Sequence, residues 1–331
     1  MRSITEPPES ADFARFKPGF GTRFLLTVDT EEEFDWDAPF ERSGHSLDHV
    51  PQLRKFQQFC EGHGVVPVYL VDYPIATSAM AGEILRDAIA AGRAEIGIQL
   101  HPWVNPPHDE QINNFNSFAG NLPPDLEAAK FRMLRGEIIA NFRADPLIYR
   151  AGRYGLGPNT ADLLLENGIA IDSSVRARFD YSSTGGVNYR DHPVRPYWIS
   201  KGHSLLELPL TTVFAGTLRS LGGWLYPSLW RVPFLRGALA RFGLLDRIPL
   251  TPEGVTASEA IAGVDAALAD NLPLLVLSFH SPSLRPGHTP YVRHEDDLDR
   301  LYDWWREVLS HLERRDIRPT TVTEIMQAVL V

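Results

Sequence analysis

The sequence has a single cysteine, no long apolar run and fewer basic than acidic side chains. Among its 331 residues the one cysteine is Cys60, so an internal disulfide framework is excluded. No stretch reaches the roughly 20 apolar residues that a membrane-spanning helix requires. The 32 basic and 42 acidic side chains give a formal net charge of -10. A surface this acidic argues against a nucleic acid partner, which requires a basic face.

The first 20 residues are polar and rich in proline and glutamate. They lack the apolar core of a signal peptide, so we expect neither a signal peptide nor a membrane anchor, and we expect a cytoplasmic location. The chain is 44% hydrophobic and 22% charged, which is typical of globular proteins. We therefore predict an N-terminal extension over residues 1–20 and a single domain over residues 21–331.

Short apolar strand candidates alternate with amphipathic segments of helical length. The strand candidates are residues 24–28, 65–71, 95–100, 146–150, 170–173, 204–208, 274–279 and 320–322. The helix candidates are residues 47–62, 81–91, 126–142 and 160–167, with a last helix from residue 295 onward. Repeated β-then-α units predict a parallel sheet with helices outside it. About eight strands favour an α/β barrel over an open sheet.

Residues 176–254 interrupt this alternation and are rich in glycine, proline, tyrosine and tryptophan. They lack the regular periodicity of a separate domain, so we predict an irregular insertion over the site. Within it, the apolar stretch 221–245 is broken by prolines and arginines. We interpret this stretch as a cap or lid, and contact with a membrane surface or an apolar ligand tail is the alternative.

Polar side chains follow several of the strand candidates. In a parallel barrel, reactive side chains lie at the C-terminal ends of the strands. The residues at these positions are Asp29, Glu31, His101, Arg150, Arg153, Asp172 and His280. Five strand ends that each present a polar or charged group indicate a functional site at this end of the barrel.

Five motifs at these strand ends occur in a recognisable order. They are Thr27-Val-Asp-Thr-Glu31, Glu95-Ile-Gly followed by His101-Pro, Arg150-Ala-Gly-Arg-Tyr-Gly155, Asp172-Ser-Ser174 and Ser278-Phe-His-Ser-Pro282. This ordered set resembles the polysaccharide deacetylases with a NodB homology domain (carbohydrate esterase family 4), from about Phe24 to the C-terminus except for much of the insertion. The resemblance implies a distorted (β/α) barrel of about seven strands, a divalent metal, and hydrolysis of an N- or O-acetyl group on a saccharide.

The resemblance also implies roles for individual residues. Asp29 is the expected general base, and Arg150 orients it. His280 is the expected acid that protonates the leaving group, because a histidine has its unperturbed pKa near neutrality. Glu31, His101 and Gln99 are the expected ligands of the metal, for which zinc is the expected ion. Arg150 has two alternative roles of comparable weight, binding a substrate carboxylate or forming a salt bridge that holds two barrel strands together.

Two positions depart from the family pattern. Thr30 stands where the family has a second aspartate, so we assign the ligand role to Glu31. Gln99 stands where the first of two histidines is expected, and its neutral amide oxygen is a better ligand for hard cations than for zinc. Gln99 and His101 are two residues apart on a strand end and therefore point the same way. His108 is the candidate substitute for the missing histidine.

Four further residues are candidates for contact with the substrate. These are Trp103, Arg153, Tyr154 and Asp172. The structural alternatives are packing for the aromatic side chains and a turn or helix cap for Asp172. The run Glu32, Glu33 and Asp37 is interpreted as a solvated acidic loop.

The sequence thus predicts a hydrolase that removes an acyl group, N- or O-acetyl, from a saccharide substrate by metal-activated water. A metal-independent amidohydrolase acting on a small cyclic amide is an alternative, motivated by Gln99. A non-catalytic saccharide-binding homologue is a third hypothesis. The presence of both Asp29 and His280 argues against it, since a binding protein does not require a base and an acid.

Overall fold

A computed structural model describes residues 3–36, 38–199, 202–229 and 232–331. The strands are β1 (Arg15–Phe16), β2 (Arg23–Thr30), β3 (Val68–Val71), β4 (Glu95–Leu100), β5 (Ile148–Ala151), β6 (Ile171–Asp172), β7 (Tyr197–Trp198), β8 (Leu206–Glu207), β9 (Thr212–Ala215), β10 (Asp246–Pro249), β11 (Leu274–His280), β12 (Arg318–Pro319) and β13 (Val329–Leu330). The helices are α1 (Leu53–Gly62), α2 (Tyr73–Ala76), α3 (Ala79–Ala90), α4 (Pro124–Phe142), α5 (Thr160–Glu166), α6 (Gly222–Leu229), α7 (Pro233–Arg241), α8 (Ala257–Ala269), α9 (Glu295–Arg314) and α10 (Val322–Ala328).

The main sheet runs in the order β11-β2-β3-β4-β5-β6-β8-β7, with β12 beside β2. All of its neighbours are parallel except β7, which is antiparallel to β8. β2 reads as an almost continuous apolar run and is buried along its length, as expected for a parallel strand that is covered on both faces. The predicted parallel α/β architecture is confirmed.

The curled sheet is closed into a distorted barrel by irregular backbone rather than by a regular strand pair. After β8, the Leu210 N–H donates to the Val175 carbonyl, and the Thr211 N–H donates to the Val276 carbonyl of β11. The Ser278 N–H, also in β11, donates to the Leu250 carbonyl. These bonds satisfy the edge groups of β11 and bring the segment after β10 to the C-terminal end of the barrel.

The longest helix shows how the sequence pattern sets the packing. The apolar stripe predicted for α9 consists of Leu298, Leu301, Trp305, Val308 and Leu312, and all five side chains are buried. Trp305 packs against Phe279 of β11 with a ring-centroid distance of 5.5 Å. The helix therefore covers the outer face of the strand that carries His280.

The segment before β2 packs against the barrel. Ile4 is buried in the main hydrophobic core. β1 pairs with β13 in an antiparallel ribbon, and Phe13 forms an isolated bridge with Tyr197. The two ends of the chain are therefore joined by backbone hydrogen bonds.

Two predicted elements differ from the structure. The first helix begins at Leu53 rather than near residue 47, because Ser46 pairs with Glu33 and Pro51 lies in a preceding 3-10 turn. The predicted strand 320–322 is wrong. Thr321 caps α10 by accepting a hydrogen bond from the Glu324 N–H, and the short strand β12 lies earlier, at Arg318–Pro319.

Residues 176–254 contain β7 to β10 and the helices α6 and α7. β9 and β10 form an antiparallel ribbon. α6 and α7 carry exposed apolar side chains, among them Trp224 and Phe234. Within the described residues, no helix has both the length and the apolar character needed to cross a membrane.

The buried Glu127 of α4 makes the stability of the fold depend on pH. Its carboxylate accepts a hydrogen bond from the Thr160 hydroxyl at 2.6 Å, and burial raises its pKa to about 7 despite that bond. The folded state therefore binds a proton that the unfolded chain releases at lower pH, so stability falls as pH rises from about 4.5 through about 7.

We therefore predict that Glu127→Gln raises the free energy of unfolding above pH 8 by up to about 3 kcal/mol and has little effect at pH 4. Urea unfolding between pH 4 and pH 9 measures this difference. Glu83→Gln, at an exposed position on α3, is the control and is expected to change nothing. A Glu127→Gln variant that is less stable than the wild type at pH 8 would contradict the pKa assignment.

Candidate active site

A cavity of about 220 Å³ opens at the C-terminal end of the parallel strands. Its lining includes the predicted residues Asp29, Glu31, Gln99, His101, Trp103, Arg153, Tyr154 and His280. Phe34, Trp36, Phe40 and Ala151 complete the wall. Eight of the ten residues selected from the sequence thus meet in one place, and the other two, Arg150 and Asp172, lie beneath it.

Strand register brings Asp29 and His280 together. β2 and β11 are parallel neighbours, and their pairing places Asp29 directly opposite His280. Nε2 of the histidine lies 3.7 Å from Oδ2 of the aspartate. Two residues 251 positions apart in the chain therefore face each other because the strands end at the same level.

Arg150 fixes the other oxygen of Asp29. The guanidinium lies in a close ion pair with Oδ1, and both side chains are buried. Arg150 also donates to the Ser173 carbonyl at 2.8 Å, and to the hydroxyls of Thr27 and Ser173 at 3.0 Å each. Two of the three suggested roles of Arg150 are therefore compatible with its position, since it contacts Asp29 and also links β2, β5 and the end of β6.

Glu253 holds His280. Its carboxylate lies 2.7 Å from Nδ1 of the histidine, and it also accepts from the His280 N–H at 3.0 Å and from the Ser283 hydroxyl at 2.8 Å. Burial would lower the pKa of His280, but the charges of Glu253, Glu31 and Asp29 together raise it to about 10. His280 is therefore an imidazolium at neutral pH.

Glu31 and His101 both line the cavity and lie close to each other. Nε2 of His101 is 3.4 Å from Oε2 of Glu31. Burial raises the pKa of Glu31 to about 8, although His280 and His101 lower it. The buried carboxylate thus lacks the positive charge that would keep it ionised at neutral pH.

His101 is oriented by two buried acidic residues, Glu32 and Asp72. Nδ1 lies 2.9 Å from Oε2 of Glu32, whose other oxygen accepts from the Trp103 indole N–H at 2.7 Å. Burial raises the pKa of Glu32, and burial together with the hydrogen bond to Glu32 raises the pKa of Asp72 well above its usual value. The contact with Glu32 holds the Nδ1 side of the ring, so His101 turns its Nε2 atom toward the cavity.

The donor set on this side of the cavity fits a cation. Among the described residues, the side-chain oxygen of Gln99 is buried and has no hydrogen-bond partner. Gln99 lines the same cavity as Glu31 and His101. A histidine that donates its other ring N–H to a carboxylate is the usual arrangement for a metal-ligating histidine.

Two clusters elsewhere also have spacing compatible with a metal, namely Glu32, Asp72 and His101, and Glu33, Asp48 and His288. In the first cluster Asp72 already accepts from the Glu32 N–H, and the Glu32 carboxylate already contacts Trp103 and Nδ1 of His101. Its members are therefore better placed to support the Glu31, Gln99 and His101 set than to bind an ion themselves.

Gly152 allows strand β5 to approach His101. A Cβ atom at this position would lie 2.4 Å from Cδ2 of His101 and 2.6 Å from the Leu100 carbonyl. The next two residues, Arg153 and Tyr154, have positive φ angles of 55° and 61°. This sharp turn directs both side chains into the cavity wall, and it requires a residue without a side chain at position 152.

No protein-family model and no curated protein matches the sequence. Solved structures do match. A probable polysaccharide deacetylase from Pseudomonas aeruginosa PAO1 has a TM-score of 0.50 at 13% identity, covering 93% of this chain and 90% of that one. The GH57 branching enzyme TK1436 from Thermococcus kodakaraensis has a TM-score of 0.51 at 13% identity, covering 93% and 71%. A putative polysaccharide deacetylase from Mycobacterium smegmatis is 20% identical, with a TM-score of 0.46 and coverage of 97% and 98%.

The chain shares the fold of the probable polysaccharide deacetylase from Pseudomonas aeruginosa PAO1. The resemblance inferred from the motifs is therefore confirmed at the level of the fold. Because a branching enzyme shares the architecture, the fold alone does not decide the reaction, and function has to be argued from the site.

The wall of this deacetylase-type barrel contains three of the four predicted substrate-contact residues. Trp103 is buried and stacks on His101 with a centroid distance of 4.4 Å. The Arg153 guanidinium bonds to Asn114 at 2.8 Å and lies 4.2 Å from the Phe118 ring. Outside this set, Trp36 contacts His280 edge-on at 4.9 Å and lines the cavity mouth.

Asp172 does not reach the cavity. It is fully buried beneath the Arg150 side chain, and its carboxylate accepts from the Ser174 hydroxyl at 2.5 Å. Burial raises its pKa, and the neighbouring Glu207 is raised well above its usual value for the same reason. The structure thus places it in the barrel interior rather than in contact with a ligand.

The interpretation of Glu32 and Glu33 as a solvated loop is wrong, since both are buried. Glu33 bonds to His49 at 2.8 Å, and His49 bonds to Ser281 at 2.8 Å. The Glu31 N–H donates to the Ser281 hydroxyl at 3.3 Å. This buried relay resembles a Ser-His-acid triad, but it is closed to solvent and serves to position the loop that carries Glu31.

Two other expectations concern this end of the barrel. His108 is exposed and does not line the cavity, so it does not replace the missing histidine. Asp37 lies outside the described residues.

Other supporting residues were missed because nothing in their local sequence marks them. Glu253 lies in a Thr-Pro-Glu-Gly turn, and Asp72 follows a strand without any motif. Lys130 is buried in α4, where it donates to the carbonyls of Pro102 and Asn105 at 2.9 and 2.5 Å and so fixes the loop after His101. For Asp72, the position directly after β3 was the available signal.

We predict that Arg150→Met lowers the free energy of unfolding by about 3–5 kcal/mol, because it leaves the Asp29 carboxylate buried without its counter-charge. Chemical denaturation measures the change. Arg318→Met is the matched control, since it removes an exposed pair with Asp316 and is expected to cost no more than about 0.5 kcal/mol. Equal stabilities for the two variants would show that the buried pair is unimportant to the fold.

Proposed function

We propose that the protein is a hydrolase that removes an acyl group, N- or O-acetyl, from a saccharide. The observation that carries this proposal is the arrangement of Asp29 and His280. The two side chains face each other across 3.7 Å in a cavity at the strand ends, and each is held by its own charged partner, Arg150 or Glu253. The deacetylase fold supports the same reaction class.

The chemistry follows from these two groups. Asp29, held in position by Arg150, accepts a proton from the attacking water. His280, kept cationic by Glu253, donates a proton to the departing nitrogen or oxygen as the carbon–heteroatom bond breaks. Trp36 and Trp103 shield the cavity from solvent and offer apolar faces to a sugar ring.

Glu31, Gln99 and Nε2 of His101 are the residues that we propose to hold a divalent metal. Such an ion polarises the acyl carbonyl and lowers the pKa of bound water. The oxygen of Gln99 and the carboxylate of Glu31 suit harder cations as well as zinc. Glu32 and Asp72 keep the His101 ring in the orientation that this role requires.

Metal-independent hydrolysis of a small cyclic amide is the second candidate. The presence of a neutral glutamine among the proposed ligands favours it, and the cavity of about 220 Å³ is small enough for such a substrate. Insensitivity to chelators, with no metal detected by elemental analysis of the active protein, would select this candidate over the first.

Replacement of the proposed base tests the reaction. We predict that Asp29→Asn reduces acetate release from acetylated chito- and xylo-oligosaccharides by about 10²–10⁴-fold, because the water loses its proton acceptor. The measurement is the initial rate with purified protein, with and without added Zn²⁺ or Mn²⁺. Asp303→Asn makes the same chemical change on the exposed face of α9 and is expected to retain full activity. A fully active Asp29→Asn variant, or a wild type that binds saccharides without releasing acetate, would refute the proposed function.

Replacement of the partner of His280 tests the proton donor. Since Glu253 raises the pKa of His280, Glu253→Gln is expected to lower that pKa by about 1–3 units. The alkaline limb of the kcat/KM profile then moves to lower pH by the same amount. Asp265→Asn, which removes the partner of the surface His311, is the control and should leave the profile in place. An alkaline limb that does not move in Glu253→Gln would exclude His280 as the acid.

A further inference from the structure

A second cavity of about 540 Å³ lies beside the first, between residues 176–190 and helix α6. A third, intermediate cavity connects them. Arg176 and Tyr181 line both the second and the intermediate cavity. Arg153, Tyr154 and His280 line both the intermediate cavity and the reacting cavity. A ligand bound at Asp29 and His280 can therefore extend toward the second cavity.

The second cavity is lined by arginines. Four of them, Arg176, Arg178, Arg190 and Arg247, contribute to its wall, against one carboxylate, Asp180. That carboxylate is already engaged, since it lies 3.4 Å from Arg190 and accepts hydrogen bonds from Ser182. The wall therefore carries an excess of positive charge in a protein whose net charge is -10.

Two of these arginines are held without a counter-charge. Arg176 donates to the Tyr181 hydroxyl at 3.0 Å and lies 4.1 Å from the Phe179 ring. Arg178 donates to the Thr212 carbonyl at 3.1 Å and lies 4.5 Å from the Phe214 ring. Across the described part of the chain, neither makes an ion pair with a carboxylate within 4.0 Å, and both side chains are half-buried.

Arg247 brings a third guanidinium to the same place. It lies 3.6 Å from the Phe179 ring that Arg176 also contacts, and it donates to the Arg178 carbonyl at 2.7 Å. Aromatic faces, a tyrosine hydroxyl and a main-chain carbonyl thus orient Arg176 and Arg178 but do not neutralise them. Like charges gathered in a half-buried wall are costly unless an anion joins them. The planar guanidinium, with its parallel N–H groups, is suited to the paired oxygens of a carboxylate or a phosphate.

We infer that this arginine-lined cavity binds an anionic group of the substrate, a carboxylate or a phosphate, while the acylated sugar occupies the cavity of Asp29 and His280. The placement of the acylated sugar beside Asp29 and His280 rests on the proposed function. The substrate class is then an acidic saccharide. Arg176 and Arg178 supply the charge, and Tyr181 lies at the junction with the intermediate cavity.

Calorimetric titration of the full chain with three small probes tests the inference. The probes are D-glucuronate, D-glucose 6-phosphate and neutral D-glucose. We expect at least one anionic probe to bind more tightly than glucose, with an affinity that falls as salt is raised. A preference for glucuronate would indicate a uronic acid, and a preference for glucose 6-phosphate would indicate a sugar phosphate.

Variants locate the binding. Arg178→Gln is expected to lower the affinity for the preferred anionic probe by about tenfold or more. Arg190 lies in the same wall but is exposed and paired with Asp180, so Arg190→Gln should lower this affinity far less. Arg176→Gln provides an independent test if Arg178→Gln does not fold, and circular dichroism of each variant establishes folding. Equal binding of all three probes, no binding of any, or anion binding unchanged in folded Arg176→Gln or Arg178→Gln would overturn the inference.

Kinetic measurements distinguish a failure of this inference from a failure of the proposed function. With acetylated oligosaccharides, Arg178→Gln should raise KM for an acidic substrate and leave kcat, and the KM for a neutral substrate, nearly unchanged. An unchanged KM for the acidic substrate would count against the inference alone. Anion binding in a protein that releases no acetate from any substrate would refute the proposed function and leave the anion site standing.

Discussion

The buried ion pair between Asp29 and Arg150 is the contact on which the interior of the barrel depends. Two charges buried away from water are stable only when they remain paired and the remaining N–H donors of the cation have hydrogen-bond acceptors. Arg150 meets this condition by also bonding to Thr27 and Ser173, so that one side chain joins β2, β5 and the end of β6. The carboxylate proposed as the base is therefore oriented by the same contact that ties the strands together.

The remaining buried acids are arranged so that few of them carry an uncompensated charge. Glu33 is stabilised as an anion by His49 and Ser46, whose hydrogen bonds lower its pKa to about 2 although burial opposes this. Burial raises the pKa values of Asp72 and Glu32, and Glu253 is paired with His280. For Glu31, burial outweighs the charges of His280 and His101 and raises the pKa to about 8, so a cation beside it would favour its ionised form. This imbalance is the electrostatic reason to place a cation beside Glu31, as the arginine-lined wall is the reason to place an anion in the neighbouring cavity.

Local pattern was sufficient for seven of the eight predicted strands and for the residues at their ends. Parallel strands show as apolar runs, and a charged residue directly after such a run is carried to the reactive end of the barrel, as Asp29, His101 and His280 are. Pattern failed for Glu32 and Glu33, which look like a solvated acidic loop but are buried by His101, Trp103 and His49. It failed for Glu253 as well, because a glutamate in a turn has no periodicity to reveal that it will contact His280.

The sequence by itself therefore determined the alternation of strands and helices, the order of the strand-end motifs and the resemblance in fold, since each is encoded in local spacing. The tertiary structure decided which acids lie together, how each is charged and which arginines converge. Those properties depend on burial and on contacts between segments far apart in the chain. The interaction of two charges depends on their separation in space, which spacing along the chain does not fix.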